Sequence, residues 1–171
     1  MKRFLVFWTL TLLSLATVAA GYPEKPVRLV LPYGPGGGSD VVARPLAHYM
    51  TERTGAQFIA DNRGGANGNI AMEILAHAPA DGYTLGLALA AQLAINPSLY
   101  KKISYDPVKD FAPITLLGSA PYFLSVNRTL AANTLDEFIK LARDKPGSLT
   151  YASTGNGSGL HLSMELLKSM A

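Results

Sequence analysis

The feature that most constrains the fold is an arrangement that occurs twice: a hydrophobic strand candidate, a loop of glycine and small hydroxyl residues, and a helix candidate. The first copy runs from residues 27–33 (VRLVLPY) through the loop 34–40 (GPGGGSD) into a helix. The second runs from residues 149–152 (LTYA) through the loop 153–159 (STGNGSG) into another helix. Short branched-aliphatic runs that end at Pro or Gly are typical of buried strands. The repeated unit predicts an α/β chain.

Strand and helix candidates alternate between these two copies as well. The other strand candidates are residues 57–61, 83–89, 112–118 and 122–126, and the helix candidates are residues 41–54, 70–78, 134–145 and 160–170. Ser39 or Asp40 is expected to cap the first helix, which Gly55 ends, and Thr134 with Glu137 forms a capping box. Residues 91–110 contain Pro97, Pro107 and several polar residues, which predicts a long irregular segment with one helical turn at 97–100. The alternation predicts a parallel sheet with helices on its faces.

Residues 1–20 are typical of a secretory signal peptide, because Lys2 and Arg3 precede an apolar run and small residues up to Ala20. A transmembrane anchor is the alternative, but the run is short for a spanning helix and is diluted by Ser and Thr. Removing Lys2 and Arg3 from the 15 basic residues leaves 13 against 12 acidic ones, so the net charge gives no support for nucleic-acid binding. With no Cys, disulfides, thiolate zinc sites and a lipid anchor are excluded. We expect an exported protein.

Both glycine loops deliver the N-terminus of a helix, where unpaired N–H groups and the helix dipole favour a carboxylate or phosphate. Small hydroxyl side chains in the loops can add donors, and His161 lies one turn into the second helix. The candidates with hydroxyls are Ser39, Ser153, Thr154 and Ser158. The alternative is that Ser39, Asp40 and Ser158 only cap their own helices and that His161 is structural. For Asp40 capping is the expected role, because its charge would repel an anion.

Other chemistries fit the loops poorly. The first loop has Ser39 where a dinucleotide fingerprint needs its third glycine, and no phosphate-binding Lys-Ser/Thr sequence occurs. Asn156 stands two residues before Ser158, so the nucleophile motif Gly-x-Ser-x-Gly is absent. The three histidines are dispersed without metal-ligand spacing. We therefore expect no cofactor and no metal.

At these loops the sequence resembles the substrate-binding proteins of tripartite tricarboxylate transporters, the Bug family of periplasmic solute receptors. The resemblance rests on an ordered set of motifs that covers nearly all of the chain after residue 20. They are YPEKPVRLVLPYGPGGGSDVVAR (22–44), DNRGGANGNIA (61–71), ADGYTLGLA (80–88), INPSLYKKISYDPVKDFAPITLLGS (95–119) and KPGSLTYASTGNGSGLHLSMEL (145–166).

The resemblance implies a periplasmic binding-protein-like (type II) Venus flytrap that clasps a small organic carboxylate between two loops. The ligand-binding residues that it implies are Tyr33, Gly36, Gly37, Gly38, Ser39 and Asp40 in the first loop, Ser153, Thr154, Gly155, Gly157, Ser158 and His161 in the second, and Ala91 and Gln92 after the third strand, with Asn69 as a further candidate. Ala91 stands where the family has a small or hydroxyl residue and lacks the hydroxyl. The implied partners are membrane transporter subunits of the tripartite tricarboxylate type, for a receptor that is monomeric at full length.

Length is where the sequence departs from that family, whose members have two complete domains. By analogy we expect a signal peptide at 1–20, a first α/β domain at 21–120 that lacks its C-terminal return, and the start of a second, truncated α/β domain at 121–171. Domain one would then be mostly present and domain two only begun. The last helix would expose an apolar patch of Leu162, Leu166 and Leu167.

Three functional hypotheses follow. The first is a periplasmic, non-enzymatic receptor, or a fragment of one, that captures a carboxylate for a transporter. The second is a secreted α/β enzyme that acts on acidic substrates with His161 as acid or base. The third is a truncated receptor without function.

Overall fold

The computed structural model describes residues 21–171, and the signal peptide predicted at 1–20 lies outside them. Within the described residues, no helix has the length and apolarity that a membrane crossing needs.

Three parallel strands form the sheet at the centre of the fold. They are β1 (Val27–Leu31), β2 (Phe58–Asn62) and β3 (Thr84–Gly86), in the order β2-β1-β3. Val27 pairs with Phe58 on one side of β1, and Arg28 pairs with Thr84 on the other. The predicted parallel sheet is confirmed; β1 and β3 are shorter than predicted, and β2 is shifted by one residue from the predicted 57–61.

Helices cover both faces of β1. Helix α1 (Gly38–Thr54) contributes Ala43 to a cluster with Leu29 and Leu31, and α2 (Asn69–Ala76) contributes Ala71 and Met72 to a cluster with Val30. Side chains alternate across a strand, so β1 must be apolar at consecutive positions to feed both clusters. This explains why the first strand candidate is an almost unbroken aliphatic run.

The helix boundaries confirm most of the predicted signals. Gly55 ends α1 in the left-handed conformation, at φ 77°. Thr134 caps α4 (Leu135–Asp144) by accepting a hydrogen bond from Glu137 N, and Ser158 caps α5 (Gly159–Met170) in the same way from His161 N. The expected cap of α1 is wrong, because Gly37 occupies the N-cap position without any side-chain bond. The chain enters α1 too early for Ser39 or Asp40 to stand outside the helix.

Residues 91–99 are more helical than the single predicted turn. A π-helical segment (Ala91–Ile95) leads directly into the short helix α3 (Asn96–Leu99). Ala91, Gln92 and Asn96 are buried by this turn.

Three predicted strands, at residues 112–118, 122–126 and 149–152, are not strands in the structure. Their apolar side chains are largely exposed, with Leu116 and Phe123 each 83% accessible. A strand exists only where another backbone pairs with it, and within residues 21–171 the sheet contains β1, β2 and β3 alone. Helix α5 likewise leaves Leu162, Leu166 and Met170 exposed.

Leu31→Ala is expected to lower the free energy of unfolding by about 2–5 kcal/mol, because it empties a fully buried position between β1 and α1. Leu116→Ala removes the same atoms from an exposed position and is expected to change the free energy of unfolding by no more than about 0.5 kcal/mol. Urea unfolding followed by circular dichroism compares the two. An equal cost at both positions would contradict the exposed placement of residues 112–118.

Candidate functional site

The candidate site lies at the carboxyl edge of the parallel sheet. The chain passes from β1 to β2 on one side and then returns to β3 on the other side, so the connections diverge next to the end of β1. Ligands of open α/β sheets bind in the crevice at such a switch point. The loop after β1, the turn after β2 and the segment after β3 all leave the sheet at this edge.

The first loop leaves two backbone N–H groups at the N-terminus of α1 without a hydrogen-bond partner within residues 21–171. Gly37 N donates to Gly34 O, and both Asp40 N and Val41 N donate to Gly37 O. Gly38 N and Ser39 N make no hydrogen bond within residues 21–171. Since α1 has 17 residues, these two N–H groups lie at the positive end of a long helix dipole.

Ser39 adds an unusual hydroxyl to this helix end. The residue is only 2% accessible, and its Oγ has no hydrogen-bond partner within the described part of the chain. A buried hydroxyl without a partner costs free energy, and such groups are rare in folded proteins. The first turn of α1 therefore holds three unused donors: two backbone N–H groups and one hydroxyl.

Asp40 is tied into the loop by its carboxylate. Oδ2 accepts hydrogen bonds from Arg44 Nε (2.8 Å) and Gly36 N (2.9 Å), and Oδ1 accepts one from Asn62 Nδ2 (3.1 Å). The hydrogen bond from Arg44, followed by that from Gly36 N, lowers the pKa of Asp40 to about 2. The side chain thus reaches back over the loop from the third position of α1, and Arg44 neutralises its charge.

The second loop repeats this arrangement at α5. Ser158 N donates to Gly155 O and Leu162 N donates to Ser158 O, while Gly159 N and Leu160 N make no hydrogen bond within residues 21–171. Earlier in the loop, Ser153 and Thr154 are exposed, and Ser153 Oγ accepts from Gly155 N at 3.3 Å.

His161 turns back onto the second loop. Its Nδ1 accepts a hydrogen bond from Gly157 N (3.3 Å), and its ring stacks on Tyr151 with the ring centroids 6.2 Å apart. The Tyr151 hydroxyl donates to Glu165 Oε1 (2.5 Å), and this bond raises the pKa of Tyr151. Because Nδ1 accepts, the neutral ring carries its hydrogen on Nε2, which remains a donor.

Ala91 and Gln92 lie beneath the loops instead of on an open surface. Gln92 is fully buried, and its amide is fully used: Oε1 accepts from Leu89 N, and Nε2 donates to the Tyr33 hydroxyl (3.1 Å) and to Asn67 O (2.8 Å). Ala91 is 5% accessible. No polar atom of either side chain is left for a ligand.

Asn67, which the sequence analysis missed, lies close to both loops. Asn67 Oδ1 accepts from the Tyr33 hydroxyl (3.0 Å), and Nδ2 lies 3.5 Å from the position that a Cβ on Gly157 would take. Asn67 has left-handed backbone angles, φ 53° and ψ 38°. An Asn before Gly in a glycine-rich turn is the signal that could have pointed to this conformation. Tyr33, Gln92 and Gly157 meet around it, whereas Ser153 and Thr154 lie out on the exposed part of their loop.

Comparison with known proteins gives one consistent family. The model described as "Tripartite tricarboxylate transporter family receptor" matches residues 42–171. The chain is 37% identical over 163 residues to a UPF0065 protein of Bordetella pertussis, covering 94% of this chain and 50% of that protein. It is 36% identical over 148 residues to the protein BugT of the same species, covering 86% and 45%. The chain thus spans about half the length of the curated relatives it matches.

Solved structures agree with this result. The chain is similar to Rpa4515 of R. palustris, solved with adipate, with a TM-score of 0.85 and 39% identity over 88% of this chain and 50% of that one. It is similar to MatC of Rhodopseudomonas palustris, solved with bound malate, with a TM-score of 0.79 and 32% identity over 87% and 51%. It is also similar to the periplasmic binding protein BugD, with a TM-score of 0.75 and 32% identity over 87% of this chain and 50% of that one. The predicted periplasmic binding-protein-like α/β fold is confirmed.

Asp40→Asn is expected to destabilise the protein most above pH 4. The folded-state pKa of about 2 lies below the ordinary 3.8, so the ionised carboxylate stabilises the fold above pH 4, and this contribution is lost as the pH falls toward 2. The measurement is the difference in unfolding free energy between wild type and variant from pH 6 to 2. The exposed Glu24→Gln is the control, and a difference for Asp40→Asn that does not change with pH would contradict this account.

His161 and His77 are expected to be opposite neutral tautomers. His77 Nδ1 lies 2.8 Å from the carbonyl oxygen of Glu73 and must donate, whereas His161 Nδ1 accepts from Gly157 N. Nitrogen-15 NMR at a pH where both rings are neutral should find the hydrogen on Nε2 in His161 and on Nδ1 in His77. A hydrogen on Nδ1 of His161 would rule out the loop geometry described above.

Proposed function

The chain belongs to the tripartite tricarboxylate transporter receptor family, and on that premise we propose that it is a periplasmic receptor for a small organic carboxylate. The carboxylate is held between the two glycine-rich loops, at the N-termini of α1 and α5. The receptor presents it to membrane transporter subunits without chemical change. The observation that carries this proposal is the buried Ser39 hydroxyl, which has no partner within residues 21–171 and lies beside two unused N–H groups.

The donors of the two loops can bind an anion with two acceptor oxygens, one at the N-terminus of each helix. Gly38 N, Ser39 N and Ser39 Oγ belong to the first turn of α1, and Gly159 N and Leu160 N belong to the first turn of α5. Both helix ends favour negative charge, and hydrogen bonds to a charged acceptor are stronger than those between neutral groups. His161 Nε2 adds a donor one turn into α5. No nucleic acid is part of this proposal.

The charge of the first loop is compatible with an anionic ligand. Asp40 is ionised next to α1, but Arg44 and Gly36 N occupy its carboxylate, and Arg44 cancels its charge. The site therefore presents helix dipoles and neutral donors instead of a negative potential. Because Arg44 pairs with Asp40, the carboxylate does not repel an anionic ligand as an isolated Asp40 would.

Two relatives support a di-acid as the ligand class. Rpa4515 was solved with adipate and MatC with malate, and the chain matches about half of each. Within residues 21–171 we propose that residues 21–120 belong to a first domain and residues 121–171 to a second, with one glycine-rich loop in each. Ligand-binding residues of the chain are then the loop donors together with the glycines that admit the ligand.

An enzymatic role for His161 has no comparable support. Within the described residues, its ring accepts a hydrogen bond from Gly157 N and stacks on the Tyr151 ring, and neither group is a nucleophile that His161 could activate. A general base needs a nucleophile or a substrate proton within hydrogen-bond reach.

Ser39→Ala is expected to weaken binding of adipate or malate about tenfold, which corresponds to one hydrogen bond to a charged acceptor. Because Oγ makes no bond within residues 21–171, the unfolding free energy should not fall. Isothermal titration of the chain against a panel of di-acids gives the affinity, and urea unfolding gives the stability. Ser163→Ala, at an exposed position of α5, is the control. Unchanged affinity would count against the proposed role of Ser39.

Gly38→Leu is expected to abolish binding while the fold survives. A Cβ at Gly38 meets no atom within 4 Å, and the backbone there is acceptable to any residue, so a leucine enters open space at the first residue of α1. Gly118→Leu, also an open position, is the matched control and should bind normally. Full affinity in Gly38→Leu would show that no ligand approaches the N-terminus of α1.

A further inference from the structure

A connected set of buried and half-buried polar side chains lies beneath the two loops. Its members are Tyr33, Asn67, Asn69, Gln92, Asn96 and Tyr105. Gln92 and Asn96 are fully buried, so their amides depend on partners inside this network. We call these six residues the amide network. The carboxylate donors described above are backbone groups of the two loops, Ser39 Oγ and His161 Nε2, so the network needs a separate explanation.

Asn67 is the centre of the amide network. Its side chain accepts from the Tyr33 hydroxyl and donates from Nδ2 to Asn96 Oδ1 (2.9 Å). Its carbonyl oxygen accepts from Gln92 Nε2 (2.8 Å) and from Asn96 Nδ2 (3.1 Å). Four hydrogen bonds thus hold one residue in left-handed backbone angles, which Asn adopts more readily than most residues.

The second loop passes close to this residue and to Leu99. Gly157 is buried, and a Cβ placed on it would collide with Leu99 and would lie 3.5 Å from Asn67 Nδ2. Gly157 itself has φ 80° and begins the turn that Ser158 caps. The second loop can therefore lie this close to Leu99 and Asn67 because Gly157 has no side chain.

We propose that Asn67 is a positioning residue that holds the Tyr33 side of the first loop and the Gly157 turn of the second loop in a fixed relation. The positioning role itself does not depend on the proposed carboxylate function. Only its consequence for binding, that both helix ends reach the same ligand, rests on that function. Gln92 and Asn96 act by locking Asn67, since each bonds its carbonyl oxygen. Pre-organisation of this kind reduces the cost of ordering loops when a ligand binds.

The positioning role depends on the side-chain amide of Asn67, which accepts a hydrogen bond from Tyr33 and donates one to Asn96. Asn67→Gly keeps the left-handed backbone accessible and removes the side chain. Asn67→Asp keeps the shape and the acceptor for Tyr33, but places an oxygen in front of Asn96 Oδ1 where Nδ2 donated. Both variants should therefore release the second loop while β1 and α1 remain folded. Asn133→Gly, at an exposed position before α4, is the matched control.

The test is amide hydrogen exchange of the unliganded chain, followed by titration with adipate and malate. In both Asn67 variants, exchange at residues 157–162 is expected to accelerate at least tenfold, while exchange in β1 and α1 stays within twofold of wild type. A merely structural role would accelerate exchange in β1 as well. Affinity for a di-acid that wild type binds should fall at least tenfold in the variants.

The outcomes separate this inference from the proposed function. Loop exchange within twofold of wild type in both variants, or equal acceleration throughout the chain, would overturn the positioning role of Asn67. Unchanged affinity in variants whose loop is released would also overturn it. If wild type binds no carboxylate but the loop is still released selectively, the positioning role stands and the proposed function fails.

Discussion

The rest of the structure depends on the parallel pairing of β1 with a strand on each of its sides. Because β2 and β3 run in the same direction as β1, all three connections leave the sheet at one edge. The apolar side chains of β1 are buried against α1 on one face and α2 on the other, which fixes where α1 begins. The position of the first helix N-terminus is therefore a consequence of core packing.

Two polar arrangements then shape this edge. Asp40 and Arg44 neutralise each other beside the first loop, so that the helix end keeps its attraction for anions. The amide network below the loops occupies the polar atoms of Gln92 and Asn67, so these side chains support the site without needing to touch a ligand. Within the described residues, the first turns of α1 and α5 carry backbone N–H groups without a hydrogen-bond partner, and these are the groups that the proposed carboxylate site uses.

The sequence predicted the parts of this structure that depend on local signals. The aliphatic run of β1, the stop at Gly55 and the Thr134 cap are each encoded within a few residues, and all three are confirmed. Residues 112–118, 122–126 and 149–152 were predicted wrongly as strands, since hydrophobicity favours strand pairing but does not supply a partner backbone. Asn67 was missed because its importance comes from contacts with Tyr33, Gln92 and Gly157, which are far away in sequence. The resemblance indicated Gln92, but only the fold shows that its amide is saturated.

The central claim is that one carboxylate ligand is held by the N-termini of both α1 and α5. The most direct measurement is a proton–nitrogen NMR titration of the chain with adipate or malate, following the amide signals of Gly38, Ser39, Gly159 and Leu160. The account predicts that all four signals shift together and saturate with a single dissociation constant, as expected when one anion bridges two helix ends. Shifts confined to one helix end, or two sets of signals with different dissociation constants, would contradict it.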